Sequence, residues 1–176
     1  MPRYIAFLRA INVGGHNVKM DHLRTLFESL SLTNVQTLIA SGNVIFDTRS
    51  RDAGALEIRI ENHLRDALGY AVSTFLRTPA EIRAAAGHDA FPPAGSEGCA
   101  LSIGFTKMPP EDAVRRKLIS LSTDLDRFQI RDREVYWLCR GRVSDSKFSG
   151  AIAEKILGMP ATFRNVTTVR KLAEQY

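Results

Sequence analysis

The apolar residues of the first 78 positions follow, in turn, the two spacings that distinguish strands from helices. Residues 3–9 carry apolar and aromatic side chains on both faces, which is typical of a buried strand. Met20, Leu23, Phe27 and Leu30 then share one face of a predicted helix. The remaining elements of this half are strands at 35–40, 44–47 and 72–77, and a helix that carries Leu56, Ile60, Leu64 and Leu68 and ends at Gly69. The predicted order is β-α-β-β-α-β, the split β-α-β arrangement of ferredoxin-like folds.

The second half repeats this order of elements. Cys99, Leu101, Ile103 and Phe105 alternate with small or polar residues, which predicts a half-buried strand. Further strands are predicted at 128–131, 135–139 and 161–164. One predicted helix carries Val114 and Leu118, and another carries Ile152 and Ile156. A terminal helix follows Asn165, which can act as its cap. The sequence therefore predicts an α+β fold of two tandem ferredoxin-like units with an extra C-terminal helix.

The expected boundaries between these units follow from a change in composition. Thr78 to Glu81 form a capping box with proline at the first helical position, so a short helix begins there and ends at Gly87. Residues 88–98 are rich in proline, glycine and alanine and have no periodicity, as a connecting loop would. We expect unit 1 at 1–78, a helix and connecting loop at 79–98, and unit 2 at 99–176.

The charge of the chain is concentrated in its C-terminal third. Residues 140–171 contain seven basic and two acidic residues, and this segment carries the whole net charge of +5. Such an asymmetry favours an acidic ligand or partner, although a solvated basic surface explains it too.

The sequence shows no sign of a membrane or secreted protein. It has no apolar run long enough for a membrane span and no secretory signal. Its two cysteines lie in apolar segments, as buried reduced thiols do. We therefore expect a cytoplasmic protein that does not bind membranes.

Polar residues converge at one end of the first predicted sheet. A glycine-rich loop joins the first strand to the first helix, and a polar hairpin joins the second and third strands. The ferredoxin-like order makes the first and third strands neighbours, which places this loop and hairpin at the same end. Charged, amide and glycine residues in such a loop suit an anion. The candidate ligand-binding residues are Arg9, Asn12, Gly14, Gly15, Lys19, Ser41 and Asn43.

A second candidate site lies at the corresponding end of the second unit. The same topology brings Lys147, Arg164 and Asn165 to one end of the second sheet. At both ends the alternative is structural: the glycines form a tight turn, the asparagines satisfy loop backbone, and the arginines pair with acids.

Several kinds of chemistry find little support in the sequence. The four histidines are dispersed and no Cys-x-x-Cys occurs, so no metal site is predicted. The Gly-Gly loop matches neither G-x-G-x-x-G nor the phosphate-binding lysine loop. The third strand has one aromatic residue, Phe46, where the RNA-recognition pattern needs several. No catalytic residue or cofactor can be assigned.

Three motifs resemble those of a bacterial domain-of-unknown-function family, the one numbered 1697. They are Leu8-Arg-Ala-Ile-Asn-Val-Gly-Gly15 followed by Lys19-Met20, the hairpin from Thr37 through Ser41-Gly42-Asn43 to Phe46, and Thr162-Phe-Arg-Asn-Val-Thr-Thr-Val-Arg-Lys-Leu172. Ser146-Lys147 also matches a family position. The sequence departs from the family at Ala10, where the pattern prefers glycine. The resemblance implies an α+β protein of ferredoxin-like units and implies no activity.

These observations lead to one main functional hypothesis and two rivals. The main hypothesis is a module that binds an anionic ligand, either a phosphate-bearing small molecule or a nucleic acid. The first rival is an enzyme of unassigned reaction that holds its substrate with Arg9, Asn12, Ser41 and Asn43. The second rival is an assembly protein whose polar motifs brace loops and whose edge strands form a homodimer. The expected oligomeric state is accordingly a monomer or a homodimer.

Overall fold

The computed structural model describes residues 1–38, 42–92 and 98–176, which divide into two compact units, Met1–Glu81 and Ile82–Tyr176. The first unit contains β1 (Arg3–Leu8), α1 (Met20–Glu28), β2 (Thr33–Leu38), β3 (Asn43–Asp47), α2 (Ala53–Leu68) and β4 (Thr74–Arg77). Helix α3 (Pro79–Ala86) spans the boundary between the units. The second unit contains β5 (Ala100–Phe105), α4 (Asp112–Ser120), β6 (Asp126–Arg131), β7 (Glu134–Cys139), α5 (Gly150–Leu157), β8 (Thr162–Asn165) and α6 (Val166–Gln175).

The first unit is built on a four-stranded antiparallel sheet in the order β2-β3-β1-β4. The predicted pairing of the first and third strands is present, and Phe7 of β1 lies opposite Asn43 of β3. Beyond that pair, the Leu8 amide donates to the Gly42 carbonyl at 2.8 Å. The end of β1 and the start of β3 therefore share one edge of the sheet, as the predicted topology requires.

Apolar spacing and capping explain the helices of the first unit. Leu56, Ile60 and Leu64 are buried in the core that α1 and α2 share with one face of the sheet. Helix α2 begins after Asp52, whose carboxylate accepts a hydrogen bond from the Ala55 amide at 2.9 Å. It ends at Gly69, whose φ of 82° is the left-handed conformation that glycine adopts easily.

The second unit repeats the strand order, as β6-β7-β5-β8, and its neighbouring strands are again antiparallel. Its core contains the one tryptophan of the chain, Trp137. The indole donates to the Asp126 carboxylate at 2.7 Å, and the same carboxylate accepts from the Ser146 hydroxyl at 2.7 Å. Because the Ser146 hydroxyl also accepts from the Phe148 amide, this network fixes the chain between β7 and α5. The fold is thus mixed α+β with two similar four-stranded antiparallel sheets.

Most elements lie where the hydrophobic pattern predicts them, with shifts at their ends. The predicted capping box is present: the Thr78 amide donates to Glu81 at 2.7 Å, and the Glu81 amide donates to the Thr78 hydroxyl at 3.3 Å. Leu30 is buried, yet it lies beyond the end of α1, in a turn that Ser31 completes with a positive φ of 58°. Strand β4 begins at Thr74, two residues later than predicted. Positions 39 and 40 of the predicted second strand lie outside the described residues. Among the described helices, none has the length and apolarity needed to cross a membrane.

Candidate functional site

The loop between β1 and α1 has a fixed backbone with two open glycines at its tip. The Arg9 amide donates to the Ser73 carbonyl at 2.8 Å, which holds the start of the loop against the segment before β4. The Asn12 side chain accepts from the Val18 amide at 2.7 Å and so ties the two sides of the loop together. Gly14 and Gly15 have φ values of 68° and 88°, and a Cβ atom added to either would meet no described atom within 4 Å beyond its chain neighbours. The tip therefore needs glycine for its conformation and faces open space.

Gly42, the residue directly before β3, packs tightly against this loop. Gly42 has a φ of 77°, and a Cβ on it would lie 2.7 Å from the Ile11 Cγ2 atom and 3.2 Å from the Leu8 Cβ atom. Asn43 is fully buried, and its amide group donates to the Leu38 carbonyl at 3.0 Å. In the predicted motif, Gly42 thus permits a close approach and Asn43 joins the start of β3 to the end of β2. Ser41 lies outside the described residues.

A pocket of about 410 Å³ opens beside the loop, at the start of α1. Its wall contains the stacked rings of His16 and Tyr70, whose centroids are 3.7 Å apart and whose planes differ by 17°. Burial raises the pKa of the Tyr70 hydroxyl above its ordinary value, and the protonated hydroxyl donates to the Ile11 carbonyl at 2.8 Å. This hydrogen bond fixes the Tyr70 ring, which in turn positions His16. The residues lining the pocket are His16, Asn17, Val18, Lys19, His22, Leu68 and Tyr70.

Positive and neutral groups surround this pocket. Lys19 and His22 are exposed on its rim, and the lining contains no aspartate or glutamate among the described residues. Lys19 is also the residue before the first turn of α1, where no side chain caps the helix. The nearest acid in sequence, Asp21, has an almost fully exposed side chain that lies 3.5 Å from Arg24. Asp21 itself lies in the first turn of α1, where a helix attracts negative charge, so the positive charge that favours an anion in the pocket comes from Lys19.

The predicted residues of the first unit divide into two groups in the structure. Arg9, Asn12 and Asn43 lie at the expected edge of the sheet, where both asparagine side chains bond to backbone groups. Of the predicted residues that the structure describes, Lys19 alone lines the pocket. The sequence patterns did not single out His16, His22 and Tyr70, although His16 follows Gly15 directly and Tyr70 follows the glycine that ends α2.

The predicted residues of the second unit lie near one edge of its sheet. Cys139 at the end of β7 pairs with Ala100, and Asn165 at the end of β8 pairs with Ser102. Asn165 caps α6 as predicted, since its side chain accepts from the Thr167 amide at 2.8 Å. It also lines a pocket of about 350 Å³ together with Arg170, and neither Arg164 nor Lys147 belongs to the described lining.

Arg164 is bound within its own strand, whereas Lys147 is exposed. One Arg164 nitrogen donates to the Thr162 hydroxyl at 2.8 Å and to the Phe163 carbonyl at 3.0 Å. Burial lowers the pKa of Arg164 from its ordinary 12.5 to about 10, so the guanidinium remains charged at neutral pH. Lys147 lies directly after Ser146, whose hydroxyl is held by Asp126.

The fold and the pocket define a protein of two antiparallel α+β units with a basic pocket in the first. A family model described as a protein of unknown function, DUF1697, matches residues 1–136, and the chain belongs to this family. The structure of the conserved bacterial protein SP0830 from Streptococcus pneumoniae is similar, with a TM-score of 0.75 and 25% sequence identity. The match covers 99% of this chain and 97% of that one. No curated protein matches the chain.

Proposed function

We propose that the protein binds an anionic, phosphate-bearing ligand in the pocket beside the Gly-Gly loop. The observation that carries the proposal is the charge of the lining: Lys19 and His22 border the pocket, and no carboxylate lies among its described lining residues. A phosphate group there would meet the lysine ammonium and the first turn of α1 together. A monoester phosphate carries nearly two negative charges at neutral pH, so both attractions act on it.

The surrounding motifs support this function by holding the pocket in shape. Asn12 fixes the loop through the Val18 amide, and Gly42 lets the chain before β3 approach Ile11 closely. Gly14 and Gly15 leave the tip of the loop open to an approaching ligand. Arg9 begins the same loop, where its backbone amide donates to the Ser73 carbonyl. In this proposal Asn12 and Asn43 are positioning residues, and Lys19 contacts the ligand.

We also propose that each unit is ferredoxin-like and that the two arose by tandem duplication. The strand orders β2-β3-β1-β4 and β6-β7-β5-β8 support this origin, because corresponding strands occupy corresponding places. The domain boundaries at 78 and 98, the cytoplasmic location, and ligand binding by Lys147, Arg164 and Asn165 stay predictions.

The test is calorimetric titration of the full chain with pyrophosphate at low ionic strength. Removing one charge at about 4 Å from the ligand costs about 1 kcal/mol in a water-like medium. We therefore expect Lys19→Met to weaken binding about fivefold. Lys155→Met is the matched control, because Lys155 is an exposed lysine of α5 in the other unit.

Two results would contradict the proposal. One is the absence of pyrophosphate binding by the unmodified protein at low salt. The other is an equal loss of affinity in Lys19→Met and Lys155→Met, which would mean that the net charge of the chain binds pyrophosphate without a specific site. In a specific site, added sodium chloride should weaken binding while the difference between the two variants persists.

A further inference from the structure

We infer that the ligand is a nucleotide whose base stacks on the ring pair of His16 and Tyr70 while its phosphate contacts Lys19. This inference rests on the proposed function, since it names the class of phosphate-bearing ligand that the same pocket takes. It depends on three features of the pocket that a bare phosphate would leave unused: the stacked rings, the apolar wall and the volume.

The ring pair already has the geometry of a stacking platform. The His16 and Tyr70 rings are nearly parallel, with centroids 3.7 Å apart. The position of the Tyr70 ring is fixed, because the ring packs against the core and its hydroxyl donates to the Ile11 carbonyl. His16 is an exposed residue of the pocket lining and Tyr70 stacks on one face of its ring, so we place the planar ligand on the other face. Proteins bind unpaired bases on aromatic and histidine rings in this way.

The other lining groups complete the requirements of a nucleotide. Val18 and Leu68 provide apolar surface for a sugar or base, and the Asn17 amide offers both a donor and an acceptor to a base edge. Lys19 stands three residues after His16, so the charged contact and the stacking contact are separate. The volume of about 410 Å³ falls in the range of about 300–1,000 Å³ that small-molecule sites occupy.

The experiment compares adenosine monophosphate with ribose 5-phosphate, which has the same sugar and phosphate and lacks the base. Stacking on an aromatic side chain strengthens binding by between about fivefold and a hundredfold. We expect adenosine monophosphate to bind more tightly by a factor in this range. His16→Ala should remove that advantage, and His16→Phe should retain it, since phenylalanine keeps the ring and loses the nitrogens. His63→Ala is the control, because the His63 ring contacts the Ser29 hydroxyl at 2.8 Å and does not line the described pocket.

The outcomes separate this inference from the proposed function. Equal affinities for adenosine monophosphate and ribose 5-phosphate would overturn the nucleotide inference and leave phosphate binding in place. If pyrophosphate, adenosine monophosphate and ribose 5-phosphate all failed to bind, the nucleotide inference and the proposed phosphate binding would both be overturned. An advantage for adenosine monophosphate that survives His16→Ala, with the variant folded by circular dichroism, would also overturn the stacking assignment. A single-stranded hexa-adenylate identifies the source: tighter binding than the monophosphate supports a nucleic-acid ligand, and weaker binding supports a free nucleotide.

Discussion

Replacing Ala10 with glycine should stabilise the protein. Ala10 has a φ of 61°, in the left-handed region where an L-residue with a Cβ atom is strained. Glycine, which the resemblance described above favours at this position, adopts such a conformation without this strain. The alanine therefore stores strain at the point where β1 turns into the loop of the proposed site.

The size of the effect is the difference between two opposing terms. An L-residue in the left-handed region costs about 1–2 kcal/mol relative to the right-handed one. Glycine offsets roughly 0.5–1 kcal/mol of this gain in stability, because it loses more conformational freedom than alanine when the chain folds. We expect Ala10→Gly to raise the free energy of unfolding by about 0.5–1 kcal/mol, which shifts the Tm upward by about 1–4 °C for a chain of this size.

The assay is thermal and urea unfolding beside a matched control. Ala55 is exposed in α2 and helical, so Ala55→Gly makes the same chemical change where glycine only adds unfolded-state freedom. That variant should lose about 0.5–1 kcal/mol. The two variants should move the Tm in opposite directions. A fall in Tm for Ala10→Gly equal to that for Ala55→Gly would refute the assignment of strain to Ala10.

Two further predictions concern the sheet that carries the site. Gly42→Ala should destabilise the protein by about 2 kcal/mol or more, because Gly42 has a positive φ and an added Cβ would lie 2.7 Å from the Ile11 Cγ2 atom. The control in urea unfolding is Gly54→Ala, because Gly54 is helical and an added Cβ would have its nearest neighbour atom at 3.6 Å. Asp47 has a lowered pKa, chiefly because the Arg3 side chain donates to its carboxylate at 2.7 and 2.9 Å. A lowered pKa supplies stability that is present above the ordinary aspartate value, about 3.9, and is lost as the pH falls through the folded-state value. Asp47→Asn should accordingly flatten the acid limb of the stability curve, and an unchanged limb would show that the ion pair contributes nothing.

Local sequence signals specify most of the fold. The capping box at Thr78, the helix cap at Asn165 and the stop at Gly69 each depend on residues within one turn of chain, so the sequence alone is enough to predict them. The pairing of β1 with β3 also followed from element order, because only a few topologies fit that order.

The candidate site was harder to predict because its contacts join residues distant in sequence. His16 and Tyr70 are 54 positions apart, and only the folded chain brings their rings together. From the sequence alone, His16 has the pattern of an ordinary surface residue. Conversely, the topology led us to expect that Asn43 contacts a ligand. In the structure its side chain is buried and donates to the Leu38 carbonyl. Topology fixes which residues share an edge of a sheet, whereas side-chain direction and packing decide which of them reach solvent.

The binding of a phosphate-bearing ligand at the start of α1 is the central claim. The most direct test follows the backbone amide resonances of the ¹⁵N-labelled full chain during titration with pyrophosphate. We predict saturable shifts in the amides of Val18, Lys19 and His22, with Lys19→Met weakening the response. Shifts confined to the basic segment 140–171, or no shifts at all, would contradict this claim.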